Sequence, residues 1–202
     1  MFIQLLFENP ILFLMAVIAL LFALTLHEYS HAQIAFFLGD PTAKYQGRLT
    51  VNPLAHLDPL GTLLILFFGF GWGKPVPFNP YNLRNQKWGQ ILVGLAGPAS
   101  NLLMAIVIGF GIRIFQIFFP FLIYFVWINI ILGVFNLTPI PPLDGSHVFL
   151  NILPSRFENF KIFVFQYHPF LIVFAFLFMF YIGVPYICQP LFRLITGTPI
   201  LF

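Results

Sequence analysis

Charge is what this sequence has least of. Of its 202 residues only 7% are Asp, Glu, Lys or Arg, against about 25% in a typical soluble domain. With 60% of the residues hydrophobic and 29 of them Phe, the chain cannot cover a water-facing surface. Composition therefore points to an integral membrane protein. Cysteine is nearly absent: Cys188 stands alone, which excludes an internal disulfide framework and a Cys-rich zinc site. Basic clusters are missing as well. The nine Lys and Arg are scattered, and the net charge of +3 carries no nucleic-acid footprint. The first apolar run has no basic residues before it and no small-x-small site after it, so it does not read as a cleaved signal. No internal repeat or low-complexity linker interrupts the chain, and residues 1–202 read as one domain.

What remains is apolar segments. Spanning about 30 Å of hydrocarbon takes roughly 20 apolar residues, and four stretches qualify: 10–38, 90–119, 120–153 with a Pro-rich break, and 162–184. A fifth run, 60–72, is too short and too rich in Gly. Its length suits a re-entrant hairpin, which needs shelter from protein or a water-filled cavity. The expected fold is an all-α membrane protein with about four spans and a re-entrant element between the first and second. Lys44, Arg48, Lys74, Arg84, Lys87, Arg156 and Lys161 fall on one side of this topology, and Arg113 and Arg193 on the other. That bias places the 40–90 loop in the cytoplasm. The tail after Val184 is expected to dip back toward the interface or to reach the far side.

Against this background, the run LLFALTLHEYSHAQIAFFLGD (Leu20–Asp40) carries three ionisable groups in five residues. His27 and His31 are one helical turn apart on one face, a spacing at which two imidazoles grip one zinc ion. Glu28 sits close enough to act on an attacking water. An interhelical polar patch is the plainer reading. However, ionisable groups inside a span are costly, at about 2.5–3.5 kcal/mol each even on lenient insertion scales, and a divalent cation offsets that cost.

Catalytic zinc takes three protein ligands and keeps one position open. Of the six acids, Glu8 and Glu158 flank spans, Asp40 follows the first span and Asp58 lies in the polar loop. Apart from Glu28, only Asp144 falls within an apolar segment, in FNLTPIPPLDGSHVFLNIL (Phe135–Leu153). Both Asp144 and His27 lie in the membrane half nearer the basic loops, and Pro139, Pro141 and Pro142 unwind the chain near Asp144. Asp144-Gly145 can alternatively form a turn that caps the next helix. His147, three residues on, is a competing ligand expected to point elsewhere.

These residues together resemble a known family. HEYSH, GPASN (Gly97–Asn101) and NLTPIPPLDG (Asn136–Gly145) are similar to the signatures of the site-2 protease family of intramembrane zinc metalloproteases. NPLAHLDPLGTL (Asn52–Leu63) and GFGWGKPVPFNP (Gly69–Pro80) are similar to its compact prokaryotic subgroup lacking PDZ and CBS domains. The resemblance covers about residues 10–155. It implies zinc held by His27, His31 and Asp144, with Glu28 as general base and acid. The implied substrate is a single membrane-spanning segment of a membrane protein or a signal-peptide remnant, cut in the cell membrane with the active site toward the cytoplasm.

A helical substrate must unwind before cleavage. Gly69–Pro80, with Trp72, Gly73 and Lys74 at its centre, can offer an extended edge for strand addition, or can be a re-entrant turn anchored by Trp72. Asn101 and Asn136 can donate to a substrate carbonyl, brace a ligand or bond between helices. Gly94, Gly97 and Ser100 suit close packing on the metal helix. Asp58 reads as a turn anchor, His56 as a surface imidazole, His168 as an interfacial residue, and the Phe-rich last span as lipid-facing. Two other classes compete with an enzyme. One is an ion- or proton-coupled transporter using the His/Glu/Asp cluster, and the other is a silent protein that captures membrane segments. Sequence leaves the oligomeric state open.

Overall fold

The computed structural model describes residues 2–68 and 71–198, without the side chains of Phe2, Phe68, His168 and Pro169. Gly69, Phe70 and the expected interfacial placement of the His168 side chain therefore lie outside the described residues. Regular structure among these residues is helical. Helix α1 (Phe2–Glu8) leads into α2 (Pro10–Phe37). The Asn9 side chain caps α2 by accepting from the Leu12 N–H, and Pro10 occupies the first turn, where no N–H is needed. A short α3 (Thr42–Tyr45) follows, then α4 (Pro59–Phe68) and α5 (Gln86–Phe115), whose cap is Asn85. Next come α6 (Pro120–Asn136), α7 (Asp144–Ile152) and α8 (Glu158–Phe178). The last of these continues through π-helical turns (Met179–Cys188) into α9 (Gln189–Thr196).

Among the described residues, three stretches are long and apolar enough to cross a bilayer: Pro10–Phe37, Gln86–Phe115 and Phe170–Thr196. Helix α6 is apolar but has only 17 residues, the lower end of the spanning range. The stretch from Pro120 to 153 carries its expected Pro-rich break at 137–143, where the three prolines cannot sustain a helix. Two courses were open for the tail after Val184. It does not dip back but stays helical to Thr196. Pro185 has no N–H to give, and the wider π-helical turns absorb the mismatch. At the far end the Arg113 guanidinium donates to the Leu194 carbonyl at 2.6 Å. The two segments that carry Arg113 and Arg193 thus end together.

Helices α2, α5 and α6 pack on one another, and α7 lies on α5. Small residues make this possible. On α2 the buried stripe is Ala16, Ala19, Ala23, His27, His31 and Ala35, and on α5 it is Gly89, Val93, Gly97, Asn101, Ala105 and Gly109. Spacings of three and four keep each stripe on one face, and small residues let helix backbones approach in a membrane. The two histidines continue the α2 stripe, so helical periodicity alone aims them at α5. A second cluster joins Ala105 and Ile112 of α5 and Val126 and Ile130 of α6 to Cys188, Phe192 and Ile195 of the last helix. Phe170 and Phe174 are exposed on the outer surface, as a lipid-facing helix requires.

The 60–72 run forms helix α4 and then doubles back. A Cβ on Gly71 would lie 2.1 Å from the Gly61 carbonyl oxygen, an approach only glycine permits. Beyond it, residues 71–79 form an extended strap. Gly73 makes an antiparallel bridge with Leu57, and the Lys74 N–H donates to the His56 carbonyl at 2.9 Å. His56 is consequently fully buried, with Nε2 at 2.8 Å from the Thr50 carbonyl. This corrects its reading as a surface imidazole: the strap that covers it is remote in sequence. Asp58 accepts from the Gly61 N–H at 2.8 Å and anchors the start of α4.

Candidate active site

Nε2 of His27 lies 2.9 Å, and Nε2 of His31 3.3 Å, from Oδ2 of Asp144, and the two Nε2 atoms are 3.1 Å apart. Asp144 sits in the first turn of α7, but its carboxylate makes no cap; it reaches back to the imidazoles. Gly145 makes the reach possible, because a Cβ there would lie 2.2 Å from the Leu137 carbonyl oxygen. The break after α6 thus closes tightly on itself and presents Asp144 to α2. His147 points elsewhere, its ring meeting Phe78 edge-on at 5.7 Å.

The outer nitrogens fix what the inner ones can do. Nδ1 of His31 is 2.7 Å from the Val93 carbonyl, and Nδ1 of His27 is 2.6 Å from Oδ1 of Asn101. The Asn101 amide is oriented from behind: its Nδ2 donates to the Ala23 carbonyl at 3.1 Å and to Oδ1 of Asn129 at 2.8 Å. Asn129 in turn donates to the Phe125 carbonyl. Backbone carbonyls only accept, so this chain leaves Oδ1 of Asn101 facing His27 as an acceptor. Each ring, when neutral, therefore carries its proton on Nδ1 and turns Nε2 inward as the free donor atom.

With both rings neutral, two imidazole lone pairs and a carboxylate oxygen converge on one point. Such a set is repulsive alone and is satisfied by a cation. His27, His31 and Asp144 are the group among the described residues that could hold a metal ion, their ligand atoms within 4.8 Å of one another. Gly97 keeps the space open: a Cβ there would stand 2.3 Å from Nε2 of His31 and 2.6 Å from Nε2 of His27. Two nitrogens and a carboxylate oxygen are ordinary zinc donors, and second partners on each imidazole are the usual support for ligating histidines.

Glu28, on the next position of α2, is buried at 9% exposure and does not join the triad. Its Oε2 accepts the Val76 N–H at 3.0 Å. The strap therefore lies beside the site, touching α2 at Glu28 and α7 through the ring contact of Phe78 with His147.

The remaining expected residues fall in different places. Asn101 is fully buried behind His27, its amide committed to protein partners. Asn136, at the end of α6, donates to the Leu132 carbonyl one turn back. Trp72 is 50% exposed and Lys74 projects outward from the strap, with Gly73 in the bridge to Leu57. Gly94 is pressed against the Asp144 backbone, and Ser100 donates to the Gly97 carbonyl. Two contributors escaped the sequence reading. Asn129 had a signal, an amide within an apolar run. Arg48 had none; its 6% exposure and its bonds to the strap emerge only from the fold.

The chain's relatives agree with this chemistry. Residues 113–180 match the family model described as peptidase family M50. Two similar proteins share the name "Putative zinc metalloprotease". YwhC of Bacillus subtilis (strain 168) is 44% identical over 151 residues, 68% of either chain. Rip2 of Mycolicibacterium smegmatis (strain ATCC 700084 / mc(2)155) is 32% identical over 144 residues, 66% of this chain and 55% of that one. No solved structure matches the chain. With that identity to YwhC over 68% of both sequences, the chain belongs to peptidase family M50, the site-2 protease family of zinc metalloproteases.

Proposed function

We propose that the protein is an intramembrane endopeptidase that cuts membrane-spanning segments, with zinc held by His27, His31 and Asp144 and with Glu28 as general base and acid. The observation that carries this reading is the convergence of two imidazole nitrogens and a carboxylate oxygen beside the buried Glu28, the histidines and Glu28 standing on a helix apolar enough to cross a bilayer. Zinc at that point would polarise the scissile carbonyl and lower the pKa of the attacking water. Glu28 takes one proton from the water as its oxygen bonds to the carbonyl carbon. It returns that proton to the amide nitrogen as the C–N bond breaks, leaving a carboxyl and an amine end. His27 and His31 are held in one tautomer throughout by Asn101 and the Val93 carbonyl. Membership of a peptidase family leaves the transporter and silent-binder readings without a supporting observation.

The substrate is a single span of another membrane protein or a signal-peptide remnant, unwound before it is cut. Trp72, Gly73 and Lys74 receive it on the strap, and Asn136 contacts it from the end of α6. Extended backbone at 71–79 and the exposure of Trp72 and Lys74 support that placement. The protein crosses the cell membrane several times with its active site toward the cytoplasm. Seven of the nine basic residues on the loop side support this orientation, as does the bond from Arg113 to the Leu194 carbonyl, which joins the two segments carrying Arg113 and Arg193 at the other end. The test is to express wild type and Glu28→Gln side by side and compare membrane proteomes. Span-bearing proteins or remnants that accumulate only with the variant are expected; identical proteomes would count against the reading.

A further inference from the structure

Arg48 is a cation buried to 6% exposure with no acidic partner among the described residues. Its guanidinium spends two donors on successive carbonyls of the strap: Nη2 on Lys74 at 2.6 Å and Nη1 on Pro75 at 3.2 Å. A charged side chain is buried at this expense only where it fixes something. Its own backbone is fixed as well, since the Arg48 N–H donates to the Ala43 carbonyl at 2.8 Å, past the left-handed turn at Gly47.

The strap's sequence shows what is being fixed. In Lys74-Pro75-Val76-Pro77 the prolines have no N–H, and each holds the residue before it extended. Two N–H groups remain. Lys74 gives its own to the His56 carbonyl, and Val76 gives its own to Oε2 of Glu28. Gly73 lies against Leu24, one turn before Glu28 on α2: a Cβ there would meet that side chain at 3.0 Å. The strap therefore runs along α2 and delivers one backbone donor to the carboxylate that the proposed reaction uses.

We infer that Arg48 is a positioning residue for hydrolysis: by gripping the Lys74 and Pro75 carbonyls it holds the Val76 N–H on Oε2 of Glu28, which leaves Oε1 to move the proton. This inference rests on the proposed peptidase chemistry. Without the clamp, Glu28 keeps its place on α2 but loses the donor that sets its rotamer, and the turnover step slows by more than substrate capture, which the same strap serves.

The experiment uses the full chain in vesicles with a single-span reporter carrying a fluorophore and a quencher on opposite sides of its apolar segment. Arg48→Ala is expected to lower kcat by roughly tenfold or more, part of the 10²–10⁴ that general-base catalysis supplies. KM should change by less than kcat, since the strap also receives substrate while Glu28 orientation acts on turnover, and zinc content should be unchanged. Arg48→Lys, able to reach one carbonyl, should restore part of the loss. Replacing the Val76 amide by an ester removes the N–H, and it should reproduce the Arg48→Ala defect without adding to it. Hydrogen exchange reads the contact without any reaction: the Val76 amide should be protected in wild type and released in Arg48→Ala and Glu28→Ala.

Unchanged or faster cleavage by Arg48→Ala would overturn the inference, faster cleavage marking the strap as a brake. A change in KM alone, multiplying defects, or an unprotected Val76 amide in wild type would overturn it as well. A wild type that leaves the reporter uncut contradicts the peptidase reading instead, and the Val76 exchange then still decides whether Arg48 holds the contact.

Discussion

The Asn101 side chain holds His27 from behind, with its Oδ1 2.6 Å from Nδ1 of the imidazole. Asn129, 28 positions further along the chain, keeps that amide from turning over. Two amides on different helices thus decide which nitrogen of a histidine faces the metal position. Partners of this kind commonly matter about 10- to 100-fold in metal affinity. Asn101→Leu should therefore weaken zinc binding by about that factor, read by competition with a chromogenic chelator. Asn129→Leu should give a smaller loss in the same direction. Wild-type affinity in both would show that the histidines orient themselves.

Gly97 gives a sharper steric test. A methyl group in its place would lie within 2.3 Å of Nε2 of His31 and 2.6 Å of Nε2 of His27. Gly97→Ala should purify with its helical content intact and with little or no zinc. Full zinc occupancy in that variant would mean that α2 and α5 can separate without loss of the site.

The route from first span to strap depends on Asp40, which is fully buried just past α2. Its carboxylate accepts from Thr42 N and Oγ1, the Asn79 N–H at 2.6 Å and the Asn82 side chain at 2.8 Å. Burial pushes this carboxyl up, but the donors from Thr42, Asn82 and Asn79 outweigh it and hold it below the usual carboxylate value. A depressed folded pKa means that the unfolded state takes up the proton first as pH falls. The stabilisation is therefore complete above the unfolded value of about 3.9 and drains away as pH falls through the folded value. Thermal unfolding in detergent should show a wild-type melting temperature that falls below about pH 4. Asp40→Asn should start lower at pH 7, by about 1–3 kcal/mol for lost charge-assisted bonds, and change less on acidification. Parallel curves for the two proteins would remove Asp40 from the account.

Much of this architecture is legible in the sequence because helices in lipid leave few options. Their length sets the spans, and a four-residue spacing puts His27 and His31 on one face. Asp144 stands out because acids are rare inside apolar runs. The Pro-rich break was readable as a break, but its helix α7 was not separable from the span before it, since Val148, Phe149 and Leu150 are as apolar as the span itself. His56 was misjudged because its burial comes from a strap about 17 residues away, and no local pattern reports such a cover. Arg48 was hidden for the same reason: a lone cation in a loop reads as a topology signal until the carbonyls it holds are seen. The course of the tail after Val184 stayed open in the sequence because a proline such as Pro185 usually ends a helix, whereas π-helical turns carry the helix past it.

Glu28 carries the central claim, and one paired measurement on purified protein tests it most directly. Wild type and Glu28→Gln are assayed for zinc content and for cleavage of a single-span reporter. Both should contain about one zinc per chain, since His27, His31 and Asp144 are untouched. Wild type should cut the reporter and lose that activity to a chelator, and Glu28→Gln should leave it whole. Cleavage that survives Glu28→Gln, or a wild type that cuts while holding no zinc, would contradict the account.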